Sequence, residues 1–302
     1  LGVALLAVPE KGHEIRVAAI QGNVSSRDKF QISNAETVKI YEKLIREAAE
    51  NGAELIVCPE SAFPWNLLKD EGSLGVFRAI AREYDVVLGC LEGWRDEQEN
   101  ILALMYPDGS ISDVKYSKRH LVPFGEYMPY KKTLSKIFPF LDNLNIVDED
   151  YTAGTDTAVM KVKGGKIGNI ICFESTYPDL YRQSVSDGAE LIIEVTNDSW
   201  LGNSPAMHQH LAHGVFRSIE NGRYLVRSAN SGVSAVIDSR GRVLKALDPN
   251  VQGVICDTVY FSNESTLYTK TGDIIFPIFA LAVIIWYLVL LIASFNQKKN
   301  VP

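Results

Sequence analysis

The polar and apolar positions alternate from Glu14 to Gln21 (EIRVAAIQ) and then meet Gly22, the period of a half-buried strand. The spacing then changes. Ser33 and Glu36 form a capping box, and Val38, Tyr41, Leu44, Ile45, Ala48 and Ala49 recur at helical intervals until Gly52 stops them. Short apolar runs predict strands at Leu55–Cys58, Val86–Cys90 and Leu191–Thr196, with a helix over about 74–84 between the first two. Ile101–Tyr106 and Val114–Ser117 flank Pro107-Asp108-Gly109-Ser110, which reads as a hairpin turn. A second hairpin turns at Gly164-Gly165, and its outgoing strand runs from Ile167 to Phe173. A helix to about Ser186, a long helix from about Pro205 to Asn221 and a hairpin around Ser239-Arg240-Gly241 follow. Strands and amphipathic helices in this order predict a layered α/β sandwich. Asn51–Val57 (NGAELIV) echoes Asp187–Ile193 (DGAELII). A glycine-stopped helix before a buried strand is common, so the echo is compatible with a pseudo-symmetric fold without proving duplication.

Periodicity disappears at the end of the chain. Ile274 to Phe295 is an uncharged apolar run, and as a helix it spans about 33 Å, enough for a bilayer core. A core helix of six turns normally carries a polar stripe, which this one lacks, so the run predicts a transmembrane helix over 274–295. Lys298 and Lys299 follow it while Lys270 and Asp273 precede it. The positive-inside bias then places the C-terminus in the cytoplasm and the preceding domain on the opposite side. Residues 1–9 open with LGVALLAV, with no basic stretch or cleavage site of a signal peptide. They read as the end of an upstream membrane segment, or else as a frayed apolar tail.

Composition narrows the partners. The 302 residues are 46% hydrophobic and 22% charged with a net charge of −7, which excludes intrinsic disorder and offers no basic stripe for phosphates. Nucleic acid is therefore not expected as a partner. Cys58, Cys90, Cys172 and Cys256 are widely spaced and form no C-x-x-C pair, so neither a zinc knuckle nor a disulfide framework is indicated.

Three strand ends carry reactive side chains: Glu60 after Leu55–Cys58, Lys118 after Val114–Ser117, and Cys172 after Ile170-Ile171. A thiol is mostly protonated at neutral pH and needs a base for its proton or a cation for its anion. Glu60 suits the first task and Lys118 the second. Attack on a carbonyl creates an oxyanion, for which Lys118 and the backbone N–H of Phe173 are candidate donors. Each residue also has a bland reading: a strand cap, a solvated loop charge, a small core side chain.

The surrounding segments decide between these readings by resemblance. CPESAFPW (58–65), YSKRHLVPFGEYMP (116–129), IICFES (170–175), TNDSWLGNSPAMHQHLAHGVFRSIENGR (196–223) and ANSGVSAVID (229–238) resemble the nitrilase, or carbon-nitrogen hydrolase, superfamily. Within it they resemble the apolipoprotein N-acyltransferase branch, over about residues 14–260. The resemblance implies a four-layer αββα sandwich over 14–262, followed by the C-terminal transmembrane helix. It implies a Glu60, Lys118, Cys172 triad that takes an acyl chain from a phospholipid as a Cys172 thioester. The chain then passes to the N-terminal amine of the diacylglyceryl-cysteine of an apolipoprotein. It also implies a cell inner membrane location with the catalytic domain on the periplasmic side, and no cofactor. Glu126 and Glu174 match supporting glutamates of the family. Phe173 departs from the Tyr that many relatives carry there, though its backbone N–H survives the change.

Three further features stand apart from the triad. His208, His210 and His213 resemble a metal-ligand cluster, but on a helix His208 and His210 point about 200° apart, so no metal is expected there. Trp200 and Leu201 read as a mobile apolar lip that admits acyl chains. The aromatic and basic stretch PYKKTLSKIFPFLDNL (129–144) reads equally as a bilayer contact or an amphipathic cover. Two other functions remain open: a nitrilase-type amidase, which has no use for the terminal helix, and a catalytically silent membrane-anchored binding module, which would tolerate substitution at Cys172.

Overall fold

The computed structural model describes residues 12–24, 32–93, 97–130 and 150–299. The N-terminal run 1–9 and most of the 129–144 stretch lie outside the described residues. Two six-stranded sheets form the centre. The first contains β1 (Glu14–Gln21), β2 (Leu55–Val57), β3 (Asp85–Glu92), β4 (Glu99–Met105) and β5 (Tyr116–Ser117), with β12 (Gly253–Tyr260) paired antiparallel to β1 at its edge. The second runs β11 (Val243–Ala246), β10 (Ala235–Ile237), β9 (Leu225–Ala229), β8 (Leu191–Thr196), β7 (Gly165–Ile171) and β6 (Met160–Val162).

The period-2 pattern of β1 shows why the sheets stack. Ile15, Val17 and Ala19 point into a core shared with Leu55, Val87 and Leu104 and with Ile171, Ile193, Val226 and Val236 of the second sheet. Ala18 and Ile20 point the other way, against α1 (Asn34–Glu50) and α2 (Glu71–Ile80). Ile170, Ile192, Leu225 and Ile237 pack outward against α3 (Pro178–Ser186) and α4 (Ala206–Asn221). The layers are therefore helix, sheet, sheet, helix, the αββα order expected. Strands buried on both faces lose polar alternation, which is why β2 is a continuous apolar run and β8 is apolar apart from Glu194 and Thr196.

Most sequence boundaries hold, including the Ser33/Glu36 capping box. Two shift for visible reasons. α2 begins at Glu71, because Asp70 caps it by accepting from the Ser73 N–H, and it ends at Ile80, where the Tyr84 hydroxyl donates to the Ile80 carbonyl. β7 ends at Ile171, one residue before the expected thiol. Cys172 takes φ +56° and opens a 3-10 turn over Cys172–Thr176.

After β12 the chain forms α5 (Leu267–Thr271) and then α6 (Ile275–Lys299). Thr266 caps α5 through the Thr269 N–H, and its hydroxyl also reaches α4 at the Glu220 carbonyl. Within the helical stretch Leu267–Ile292 an 18-residue window reaches a mean hydropathy of 2.9, and that window is not buried against the rest of the chain. This helix is long and apolar enough to cross a membrane.

Candidate active site

The three strand ends meet between the sheets. Pro59 and Glu60 follow β2 and lie against Gly89 of β3, where a Cβ would stand 2.1 Å from the Pro59 carbonyl oxygen, so only glycine admits this approach. Lys118 follows β5, whose register places Ser117 opposite Ile101. Cys172 follows β7. Glu60, Lys118 and Cys172 are all buried, at 5%, 1% and 3% exposure.

Lys118 Nζ donates to Glu60 Oε1 at 2.9 Å and to Glu126 Oε1 at 2.7 Å. Glu60 also accepts from Asn100 Nδ2 at 2.8 Å and from the Asn197 N–H at 2.8 Å, and the Cys172 thiol lies near enough to help lower its carboxyl. Burial favours the neutral carboxyl, but Lys118 and these donors outweigh it and hold Glu60 below the usual carboxylate range. Burial likewise works against the Lys118 ammonium, yet the Glu60 and Glu126 carboxylates keep it charged well beyond its ordinary range. Cys172 goes the other way. Burial first, and the Glu60 charge second, push its thiol far up, against the smaller pull of Lys118. The resting site is therefore a carboxylate, an ammonium and a neutral thiol.

The two supporting glutamates do different jobs. Glu126 holds Lys118 with one oxygen and accepts from the Val122 N–H with the other at 2.8 Å. Glu174 is fully buried and does not reach Lys118. Its oxygens accept from the Ile171 N–H at 2.8 Å, the Tyr116 hydroxyl at 2.7 Å, the Arg119 N–H at 2.6 Å and the His120 N–H at 3.1 Å. It thus ties the Lys118 loop to the nucleophile turn. Burial raises its carboxyl despite these donors.

Phe173 is half-buried, with its ring edge-on to Tyr177 at 5.4 Å. Trp200 is 64% exposed and Leu201 half-buried; both sit on a 3-10 turn, Asp198–Leu201, rather than in open loop, anchored by the buried Asp198.

Behind the triad lies a row of buried charges that sequence reasoning missed. Arg227 pairs with Glu194 and donates to Asp198 Oδ2 at 2.9 Å; Asp198 Oδ1 accepts from Thr196 Oγ1 and lies 2.8 Å from His210 Nδ1. The signal was available, since Glu194 (LIIEVT) and Arg227 (LVRSA) are lone charges inside apolar strands and face each other in the β8/β9 register. Cys172 Sγ, Asp198 and His210 bring ligand-type atoms within 4.8 Å of one another. Both His210 ring nitrogens face oxygen acceptors, however, Asp198 Oδ1 and the Cys172 carbonyl, and so present protons rather than lone pairs. His210 is buried and His208 exposed, as the helical spacing requires.

A buried thiol, carboxylate and ammonium gathered between the sheets of a four-layer αββα frame are the arrangement the carbon-nitrogen hydrolase resemblance leads one to expect. The chain belongs to that family: residues 16–267 match carbon-nitrogen hydrolase. It is 36% identical over 99% of its length to a Geobacter metallireducens protein named apolipoprotein N-acyltransferase, and 30% identical over 99% to a Thermotoga maritima protein of the same name. The chain spans 57% and 55% of those two relatives. Among solved structures it resembles a mutant of the Nesterenkonia AN1 amidase from the nitrilase superfamily, with a TM-score of 0.63 at 17% identity, covering 88% of this chain and 97% of that one. A CN-hydrolase superfamily protein of Xanthomonas campestris aligns with a TM-score of 0.62 at 19% identity, covering 88% and 96%. At such identity these two establish the fold alone.

Proposed function

We propose that this chain carries the catalytic part of a membrane-bound N-acyltransferase of lipoprotein maturation, with Glu60, Lys118 and Cys172 as its triad. The observation that carries the reading is the buried Glu60–Lys118 ion pair at 2.9 Å, gathered with the buried Cys172 thiol between the sheets, in a chain whose relatives bear the acyltransferase name. The catalytic unit is residues 14–262, and the helix over 274–295 crosses the inner membrane with its C-terminus cytoplasmic. The catalytic unit then lies on the periplasmic side, where both lipidic substrates meet it.

In the first step Cys172 Sγ attacks the ester carbonyl carbon of a phospholipid such as phosphatidylethanolamine while Glu60 takes the thiol proton. Two N–H bonds of Lys118 go to glutamates, leaving a third for the oxyanion, with the Phe173 N–H as second donor. The C–O bond breaks, and Glu60 returns the proton to the departing lysophospholipid oxygen. In the second step the α-amine of the diacylglyceryl-cysteine attacks the thioester, Glu60 takes its proton, and the released Cys172 sulfur takes that proton back. Glu126 holds Lys118 throughout, and Glu174 holds the loop that carries it. Trp200 and Leu201 offer the apolar edge over which acyl chains enter.

Intact mass of the full-length protein in detergent, after incubation with phosphatidylethanolamine, tests this beside a Cys172→Ser control. An added acyl mass, absent in the control and cleared by a diacylglyceryl-cysteinyl peptide, is the expected result. No adduct, with ammonia released from simple amides, would instead establish amidase chemistry.

A further inference from the structure

The row of buried charges behind Cys172 ends on the backbone of the nucleophile itself. Its members alternate in sign, Glu194, Arg227, Asp198, His210, and all four are buried. Two carboxylates with one guanidinium would leave a negative charge uncompensated inside the fold, and a protonated His210 balances it. The hydrogen bonds require the same state. Asp198 Oδ1 lies 2.8 Å from Nδ1 and the Cys172 carbonyl oxygen 3.0 Å from Nε2, and neither oxygen has a proton to give. Burial opposes the imidazolium, but Asp198, the Cys172 carbonyl and Glu60 outweigh it and raise His210 above its ordinary value.

The second half of the argument is peptide geometry. Cys172 has φ +56°, a conformation that L side chains adopt rarely and that needs outside support. Its carbonyl belongs to the same planar trans unit as the Phe173 N–H, and the two bonds point in opposite directions. Fixing the oxygen against His210 therefore fixes where the N–H points, away from the buried charges. Phe173 lies in the first turn of the 3-10 segment Cys172–Thr176, where amide protons lack intrahelical acceptors. A Cys172–Phe173 peptide turned over would present its carbonyl oxygen, rather than the Phe173 N–H, to a substrate oxyanion.

We propose that His210 is a positioning residue, which clamps the Cys172 carbonyl and so aims the Phe173 N–H at the oxyanion of the acyl-transfer step. The role rests on the acyl-enzyme reading above, since an oxyanion forms only in that kind of chemistry. It also assigns a purpose to the buried Glu194 and Arg227, which lie behind Asp198 and touch neither Glu60 nor Lys118 in the hydrogen bonds they make.

Two reactions of the same thiol separate this role from a merely structural one. Acylation by a 4-nitrophenyl ester passes through an oxyanion; alkylation by iodoacetamide does not. His210→Asn keeps a donor toward Asp198 but falls short of the carbonyl, and His210→Phe keeps the ring volume with no donor at all. His210→Gln carries an amide N–H out to about the Nε2 position. In full-length protein in detergent, with rate constants taken per reacting Cys172, His210→Asn and His210→Phe should slow acylation about 10²-fold, the cost of one lost oxyanion donor, with alkylation within about twofold. His210→Gln should recover most of the acylation rate. Equal losses in both reactions, or acylation unchanged in whichever of the two donor-deficient variants folds, would overturn the proposal. Because the nitrophenyl ester replaces the lipid, failure of phosphatidylethanolamine to acylate wild-type protein would count against the acyltransferase reading and leave this test standing.

Discussion

Lys118 and Glu60 form an ion pair at 2.9 Å with both side chains almost sealed from solvent, and Glu126 places a second carboxylate 2.7 Å from the same ammonium. The cluster is thus two negative charges on one positive, and it is stable as built only while the ammonium is there. Lys118→Met leaves two carboxylates facing one another in the interior, at a cost of about 3–5 kcal/mol near neutral pH. The sign of the pH dependence also inverts. In the wild type Glu60 is held below its unfolded value, so its contribution is present above that value and is lost as pH falls. In the variant, burial and Glu126 raise Glu60, so stability is lost as pH rises and returns as the medium is acidified. Melting temperatures over about pH 5 to 8 read this directly, and a variant that melts at the wild-type temperature throughout would contradict the pairing. Acylation should fall by about 10²-fold or more through loss of an oxyanion donor.

Glu60→Gln tests the base assignment. The Cys172 thiol is pushed up by burial and by the Glu60 charge, so almost no thiolate exists at neutral pH and alkylation depends on Glu60 accepting the proton during attack. Because Glu60 stays ionised, wild-type alkylation by iodoacetamide should be nearly flat over about pH 6 to 8. The Gln variant should be about tenfold or more slower at pH 7 and then climb about tenfold per pH unit, since hydroxide must now remove the proton. Peptide mapping separates Cys172 from the buried Cys58 and Cys90 and the half-buried Cys256. An unchanged rate and a flat profile in Glu60→Gln would remove the carboxylate from the role of base.

The sequence made the site's reactive groups legible because each closes a recognisable strand, and period-2 alternation in β1 and the apolar runs of β2 and β8 show without tertiary context. The supports were harder to see. His210 was weighed only as a metal ligand, since helical spacing reveals which residues share a face but not that Asp198 and a carbonyl from another element await on that face. β12 was missed because an edge strand with mixed burial has neither clean alternation nor an apolar run. β9 was missed because Arg227 interrupts it, and a buried arginine reads as a loop until its partners on β8 and the following turn are known. The early end of β7 at Ile171 is a backbone event at Cys172, and a cysteine at positive φ has no sequence signature.

Glu174 should behave as a staple rather than as a participant in the chemistry. Four donors converge on its two oxygens, three of them backbone N–H groups. Glu174→Gln turns one acceptor oxygen into an NH2 group facing donors, so at least one buried amide loses its partner, at about 1–3 kcal/mol. Hydrogen exchange at Arg119 and His120 should accelerate together with that at Ile171, because one side chain holds all three. Faster exchange at only one of the two segments would show that Glu174 does not join them. Tyr116→Phe removes a single donor and should cost only about 1 kcal/mol in chemical denaturation.

The nucleophile turn should also hold strain that becomes visible when the thiol is removed. Cys172 sits at φ +56° in a chain segment fixed on one side by β7 and on the other by Glu174 and His210. A non-glycine residue held there costs of order 1 kcal/mol that glycine does not, although glycine also has more freedom to lose on folding. Removing the thiol further deletes a buried group near Glu60, and that deletion is common to Cys172→Ala and Cys172→Gly. The difference between the two variants therefore isolates the backbone, and Cys172→Gly should be more stable than Cys172→Ala by about 0.5–1 kcal/mol in urea denaturation, with both inactive. At an ordinary helix or strand position the order is the reverse, since alanine is favoured over glycine by a similar amount. An alanine variant that proves the more stable of the two would mean that the turn relaxes out of the left-handed region once the sulfur is gone, and that the thiol, rather than the surrounding backbone, holds Cys172 in place.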